Sequence, residues 1–201
     1  MKPSRSGYSS EPLSHFVDDY LGYLHESHPT DAAFDGIHLY DDLLEDYSRE
    51  SIDRQARELG GWARRLEGID PSTLAREERV ERRMLTDSIR ARLFGLEELR
   101  PWQRNPLHYA TTLANSVAGQ VLFAYAPLTE RARRVVSKLR QTPRFLEAAH
   151  KNVSDPPGLF AKVGIETFEG VRDFFERDLP LAFRDLDDMH LLGDLADASS
   201  I

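Results

Sequence analysis

The chain has 201 residues, of which 40% are apolar, and this composition is sufficient to build a folded core. Its 26 basic and 34 acidic residues give a net charge of −8, which argues against a surface for nucleic acid or for an anionic membrane. The absence of cysteine excludes disulfides, thiolate metal sites and a cysteine nucleophile.

The N-terminal residues contain no apolar stretch typical of a secretory signal. No segment approaches the roughly 18 apolar residues that a membrane span requires. We therefore expect a cytoplasmic protein that binds neither membranes nor nucleic acid.

The first predicted helix carries apolar residues at helical spacing and runs to about Glu26. Pro29 disfavours helical backbone at His28 and should end this helix. Residues 29–47 are then predicted to be an irregular connection around Gly36, with Thr30 capping a short helical turn. The positions predicted to face the core are Leu13, Phe16, Val17, Tyr20, Leu21 and Leu24.

The second helix is predicted to begin after Ser48 and to end at Gly68. The third is predicted to span about 77–99 and to end before Pro101. We expect them to form an antiparallel hairpin. The positions predicted to face inward are Ile52, Ala56, Leu59, Trp62 and Leu66 in one helix, and Val80, Met84, Ile89, Leu93 and Leu96 in the other.

The segment 107–126 is nearly uncharged, which predicts a helix buried on most sides at the centre of the core, with a break or bend near Gly119. A further helix is predicted from Leu128 to about Gln141, and Thr142 and Pro143 should restart it as a separate helix. A last long helix follows residue 158, with Val163, Phe168, Val171, Phe174 and Phe175 facing inward. No segment shows sustained period-two alternation, so we predict an all-α fold, a multi-helix array of antiparallel helical hairpins.

The stretch LHESHPTDAAFDGIHLYDD, residues 24–42, contains three of the seven histidines. A zinc protease helix needs histidines four positions apart, whereas His25 and His28 are three apart and Pro29 disturbs the second. With His38 or Asp35 as a third ligand a metal site is conceivable. Capping and turn hydrogen bonds are the favoured interpretation.

Four acids in the same region, Asp41, Asp42, Glu45 and Asp46, suggest either paired catalytic carboxylates or a calcium loop. The calcium-loop pattern of alternating ligands and a central glycine is absent, so we interpret them as solvated acids near a helix N-terminus. His108, His150 and His190 are isolated and are predicted to be packing or surface residues.

Aromatic residues in helical phase offer a second candidate for binding, because they could line a ligand groove. Core packing is the favoured interpretation. The residues concerned are Trp62, Trp102, Tyr109, Phe123 and Tyr125.

Three stretches, in this order, resemble the bacterial domain of unknown function 885 family: HPTDAAFDGIHLYDDLLEDYSRESI at 28–52, RPWQRNPLHYAT at 100–111, and YAPLTERARRVVSKLRQTPRFLEAAHKNVSDPP at 125–157. The resemblance implies a zinc-dependent peptidase of the gluzincin kind, whose members are longer and carry a His-Glu-x-x-His helix in their C-terminal half. In that comparison Gly36–Asp41 is an N-terminal hallmark of the family.

No His-Glu-x-x-His occurs in this sequence, so the resemblance transfers no catalytic, cofactor or metal residue to it, and zinc is implied only for a full-length member. It implies a disordered N-terminus at 1–10, a helical N-terminal domain at 11–185 and a truncated or frayed tail at 186–201, as the N-terminal half of a larger zincin-like fold. The expected partners are the missing C-terminal catalytic half or a second copy bound through exposed apolar surface, and a peptide substrate in the full-length protein.

The candidate contacts to the substrate cleft are His38, Tyr40 and Asp41. An alternative hypothesis is a free-standing helical interaction module without enzymatic activity. A small metal-binding protein built on residues 24–42 is the third.

Overall fold

The computed structural model describes residues 10–200, and every regular element in that range is helical, which confirms the predicted all-α class. Apart from Ser10, the N-terminus predicted to be disordered lies outside the described residues. The helices are α1 (Glu11–Ser27), α2 (Pro29–Phe34), α3 (Arg49–Glu67), α4 (Arg76–Phe94), α5 (Pro101–Arg104), α6 (Pro106–Leu122), α7 (Leu128–Asn152), α8 (Gly158–Asp173), α9 (Leu179–Ala182) and α10 (Met189–Ser199). None of these helices is long and apolar enough to cross a membrane.

The described chain separates into two compact units, and we describe each by itself. The first unit contains residues 10–24 and 50–100, and the second contains residues 25–49 and 101–200. Residues 25–27 at the end of α1 and Arg49 at the start of α3 therefore belong to the second unit.

The first unit has an aromatic and aliphatic core. Phe16 and Tyr20 of α1 pack against Trp62 of α3, with ring centroids 5.5 Å apart in both pairs. Leu59 and Leu66 of α3 belong to the same core, as predicted from their helical spacing. Aromatic pairs of this kind add about 1 kcal/mol each to the stabilisation from apolar burial.

The orientation of α4 differs from the prediction at its N-terminal end. Ile89 is buried and Leu93 and Leu96 pack against the core, as expected, but Val80 and Met84 are exposed. The inner face of α4 runs instead through Leu85, Ile89 and Leu93. Because apolar residues lie on both sides of this helix, spacing alone did not distinguish the two faces.

The second unit begins with a helix where an irregular connection was predicted. Pro29 occupies the first turn of α2, where its missing N–H is not needed. His28 is the N-cap, and the prediction that Thr30 caps this turn is wrong. Thr30 is buried and donates hydrogen bonds to Glu45 from both its backbone N–H and its hydroxyl, each at 2.8 Å.

Helix α6 lies in the core of the second unit, as predicted for this nearly uncharged segment. Its buried residues are Tyr109, Ala110, Leu113, Ser116, Val117, Gly119 and Gln120. The predicted break near Gly119 is wrong, because α6 continues to Leu122. A Cβ at Gly119 would lie 3.9 Å from the Ala33 side chain, so this glycine lies beside α2.

Helix α7 is also continuous, with Pro143 inside it, so the predicted restart at Thr142 and Pro143 is wrong. Proline removes one backbone hydrogen bond and disturbs the preceding turn. Buried Leu139 and Phe145 lie on the two sides of Pro143. The burial of these two side chains stabilises the helix on both sides of the proline, and α7 remains continuous.

The C-terminal part contains α8, a wider π-helical turn at Phe174–Asp178, α9 and α10. A Cβ at Gly164 would lie 2.8 Å from Cγ of Pro106, so glycine allows the close approach of α8 to α6. Within the predicted tail at 186–201 the structure contains α10, whose Leu191 and Leu195 are buried.

Candidate functional site

The loop between α2 and α3 contains Gly36–Asp41, part of the first of the three stretches that resemble the family, and we call these residues the 36–41 loop. Gly36 has a φ of +79°, a conformation that glycine adopts without strain. The Ile37 N–H donates to the carbonyl of Ala32 at 2.8 Å, which ties the loop to the end of α2. His38–Tyr40 then form one 3-10 turn, and Asp41 follows it.

Asp41 anchors this loop to α7. Its side chain is fully buried, and its Oδ2 accepts hydrogen bonds from Nδ1 of His38 at 2.9 Å and from Arg134 at 2.8 Å. Arg134 also donates to the backbone carbonyl of His38 at 2.7 Å and to Glu130 at 2.5 Å. A buried carboxylate requires such charge-assisted partners, because desolvation alone would favour its neutral form.

The carboxyl group of Asp41 is held ionised by its neighbours. Burial raises its pKa, but the Tyr125 hydroxyl, the His38 imidazole and the Arg134 guanidinium favour the charged form and leave the pKa below its ordinary value. Asp41 is therefore an anionic structural centre at neutral pH. It is not poised to exchange protons.

Tyr125 packs on the His38 side of this cluster. Its ring stacks on the His38 imidazole with centroids 3.5 Å apart and an interplanar angle of 2°. Burial, with the Asp41 carboxylate adding to it, raises the pKa of Tyr125 to about 12, so its hydroxyl stays protonated. The hydroxyl and Oδ1 of Asp41 are both buried without a hydrogen bond of ordinary geometry, and as a donor and an acceptor they complement each other.

A second buried acid, Glu45, lies in the same α2–α3 connection after the 36–41 loop, and a buried base, Lys138, lies on α7. Glu45 accepts the two hydrogen bonds from Thr30, and Lys138 of α7 donates from Nζ to the carbonyl of Ser116 at 2.6 Å. Burial raises the pKa of Glu45 and lowers that of Lys138, while the attraction between the two opposes both shifts. Two further contacts from α7 complete the attachment, since Ser137 and Gln141 both donate to the carbonyl of Asp42.

The interpretation of the four acids as solvated is therefore wrong for two of them. Asp41 and Glu45 are buried, whereas Asp42 is exposed and Asp46 is half-buried and accepts from the Ser48 N–H at 2.9 Å. The cationic partner of Asp41, Arg134 on α7, lies 93 residues away in sequence, and Thr30 of α2, the partner of Glu45, lies 15 residues away. A signal was present in α7, where Lys138 follows the apolar pair Val135 and Val136 and precedes Leu139, all of them buried.

The outward side of the 36–41 loop is largely apolar. Leu39 is 75% exposed, and Phe34 and Phe123 expose part of their rings while they pack edge to face, with centroids 6.1 Å apart. His38 and Tyr40 are half-buried at the same loop. Of the three predicted cleft contacts, the structure thus leaves His38 and Tyr40 partly accessible and buries Asp41.

The histidines of residues 24–42 are not brought together. Nε2 of His25 lies 3.3 Å from Oδ2 of Asp35, His28 is the N-cap residue of α2, and His38 binds Asp41. Within residues 10–200 no set of three His, Asp or Glu side chains is arranged to hold a metal ion.

The isolated histidines lie in three different environments. His108 packs edge to face on Tyr47 with centroids 5.0 Å apart, and burial and then the nearby His28 lower its pKa. His190 is exposed beside Asp194. His150 borders an apolar cavity of about 340 Å³, which is also lined by Tyr109, Leu146, Ala149, Val153, Pro106 and Phe168.

The predicted aromatic set divides between core and surface. Trp62 belongs to the core of the first unit, and Trp102 and Tyr109 are buried in the second. Phe123 is exposed and Tyr125 stacks on His38. Core packing therefore describes three of the five.

One solved structure shares this fold. It is described as "a putative lipoprotein of unknown function from Shewanella oneidensis", and it matches with a TM-score of 0.84 and 19% sequence identity. The match covers 93% of this chain and 34% of that chain, so this chain spans about a third of the length of the solved protein. No curated protein matches. The family model described as "Bacterial protein of unknown function (DUF885)" matches residues 29–200, which include the 36–41 loop and its anchor on α7, and the chain belongs to this family.

Proposed function

We propose that this chain is the N-terminal helical part of a longer zinc-dependent peptidase, in which it serves as a scaffold and as one wall of the substrate cleft. The resemblance of its sequence to gluzincin-type members supports the peptidase class. The length of the solved protein with the same fold supports a longer whole.

The observation that carries this proposal is the construction of the 36–41 loop. The ion pair between Asp41 and Arg134 and the stack of Tyr125 on His38 hold the 36–41 loop on its buried side. Its outside presents Leu39 and the adjoining Phe34 and Phe123 to solvent. A loop held by the pairing of its buried Asp41 carboxylate with Arg134, with apolar side chains outward, suits contact with a peptide or with a further part of the protein.

The roles of the three candidate residues then differ. His38 and Tyr40 are proposed to contact the peptide, because both are partly accessible. Asp41 is proposed to position the loop, since its buried carboxylate cannot reach a ligand outside. The described residues offer no zinc ligand set, so in this proposal zinc and the catalytic groups belong to another part of the polypeptide.

The test uses the full-length protein from its source cells. We expect bound zinc by elemental analysis and hydrolysis of a peptide library. Tyr40→Ala should raise KM with little change in kcat, because it removes a proposed substrate contact. His38→Ala should also raise KM, and since it removes the hydrogen bond to Asp41 and the stack on Tyr125 as well, its unfolding free energy is measured alongside. His190→Ala, which changes an exposed histidine of α10, is the matched control. A zinc-free protein without peptidase activity, or unchanged KM in both variants, would contradict the proposal.

A free-standing interaction module is the second candidate, and the exposed apolar residues of α4 favour it. The mass of the endogenous protein separates the two, because this chain weighs 23.0 kDa. A much larger species supports the peptidase proposal. A species of 23.0 kDa supports the module.

A cytoplasmic location is a further part of the proposal. The solved protein with the same fold is described as a lipoprotein, which suggests the competing location at a membrane. Fractionation of source cells should place the protein with cytoplasmic markers. Recovery in the membrane fraction would contradict this part.

A further inference from the structure

Helix α4 is apolar on two opposite sides. Leu85, Ile89 and Leu93 pack on the core of the first unit. On the other side Val80, Met84 and Phe94 are 56%, 66% and 53% exposed. A helix at the surface ordinarily has one apolar face, so a second face indicates a second packing partner.

The exposed residues have the spacing of a helix–helix seam. Val80, Met84, Asp87, Ala91 and Phe94 follow one another at alternating intervals of four and three residues, as the seam positions of a coiled coil do. Four of these five side chains are apolar. We call Val80, Met84, Ala91 and Phe94 the outer stripe of α4.

One edge of the outer stripe is uniformly basic. Arg76, Arg83 and Arg90 recur every seven residues beside it and are all exposed. Residues at this heptad position select partners by charge in helix pairs. We call these three residues the arginine row, and it calls for carboxylates on the facing edge of a partner helix.

A second copy of this chain fits the outer stripe poorly. In an antiparallel pair of α4 helices the two arginine rows would face each other. In a parallel pair Asp87, which lies 3.9 Å from Arg83 of its own helix, would meet Asp87 of the other copy in the seam, and burial of the two carboxylates there costs desolvation. A partner of different sequence avoids both conflicts.

We propose that the outer stripe of α4 is a docking site for an amphipathic helix of another protein, with apolar residues at seam spacing and an edge of Glu or Asp facing the arginine row. The apolar seam supplies the contact area. The carboxylates supply the selection, because an edge of Lys or Arg would meet like charge. This surface is independent of the 36–41 loop and of any peptidase activity.

The probe is a synthetic helical peptide of three heptads with Leu at both seam positions, Glu at both flanking positions and Lys on its outer face. A second peptide of the same composition exchanges the Glu and Lys positions. Fluorescence anisotropy at low ionic strength measures both. We expect the peptide with the Glu edge to bind and the exchanged peptide to bind at least about tenfold more weakly, with the difference shrinking as salt is added.

Two variants assign the binding to the outer stripe. Met84→Gln should lower the affinity for the Glu-edge peptide by about tenfold, because apolar contact is lost. Arg83→Glu should also lower this affinity, because it reverses the charge that faces the Glu edge. The matched controls are Leu181→Gln, which changes an equally exposed apolar residue of α9, and Arg144→Glu, which changes an exposed arginine of α7. Circular dichroism of each variant checks that the fold is kept.

Three results would overturn the proposal. The first is absence of binding, or equal affinity for the two peptides. The second is an equal loss in the control variants. The third is a concentration-dependent dimer of the protein alone that Met84→Gln dissociates, because the occupant would then be a second copy.

Discussion

The core of the first unit and the anchor of the 36–41 loop are held by different physics. The first joins Phe16, Tyr20 and Trp62 with aliphatic neighbours, and its contacts are apolar and weakly directional. The second joins Asp41 and Arg134 in a buried ion pair with fixed geometry. The comparison shows how one small protein combines burial for stability with directional bonds that define the conformation of a single loop.

Phe16→Ala should give the largest effect and tests the apolar side of the comparison. The ring is fully buried in the aromatic cluster, so its removal leaves a cavity and should cost roughly 4 kcal/mol of unfolding free energy. Urea denaturation measures this loss. Phe160→Ala, at a partly exposed position of α8, is the control and should cost far less. Equal losses would show that burial in the cluster is not the source of stability.

Arg134→Ala tests the anchor. It leaves the buried Asp41 carboxylate without its guanidinium partner, and we expect a loss of roughly 3 kcal/mol. Chemical denaturation of this variant is compared with Arg144→Ala, an exposed arginine on the same helix. The double variant Asp41→Asn, Arg134→Ala should lose less unfolding free energy than the sum of the losses in the two single variants, because the two residues interact directly. Additive losses would contradict the coupling.

The pH dependence of stability in the acid range sharpens the comparison, because the anchor contains a carboxyl group and the aromatic cluster of Phe16, Tyr20 and Trp62 contains none. The folded-state pKa of Asp41 is lowered, so its ionised carboxylate stabilises the fold above its unfolded-state pKa of about 3.9. That stabilisation is lost as the pH falls through the lowered pKa. Asp41→Asn should flatten the acid limb of a stability-versus-pH curve, whereas Asp185→Asn, at an exposed position, should leave it unchanged.

Glu45→Gln should give the smallest effect, and one of opposite sign. The folded-state pKa of Glu45 is raised by burial, so stability falls as the pH rises from its unfolded-state pKa of about 4.3 through the raised value. Glu45→Gln should remove this fall, because an amide does not ionise. Thermal unfolding from pH 4 to 8, with exposed Glu169→Gln as the control, measures it. A wild-type fall that persists in Glu45→Gln would assign it to another group.

Local apolar spacing predicted much of the fold. The stripe from Leu13 to Leu24 and the one from Ile52 to Leu66 correspond to α1 and α3, because a helix places residues three and four apart on one face. The same rule did not identify the core-facing side of α4, because this helix carries apolar residues on two faces. For the candidate site, the sequence singled out the 36–41 loop through its resemblance to the family and left its partners unidentified.

The sequence by itself determined the all-α class and the inward positions of α1 and α3, since both follow from periodicity within single segments. Only the tertiary structure decided that Pro143 lies inside one continuous helix, where burial on both sides outweighs a lost hydrogen bond. Only it decided that Asp41 and Glu45 are buried, because their partners Arg134 and Thr30 are brought to them by chain folding. A charge is solvated or buried according to what packs around it, and a local pattern does not contain that information.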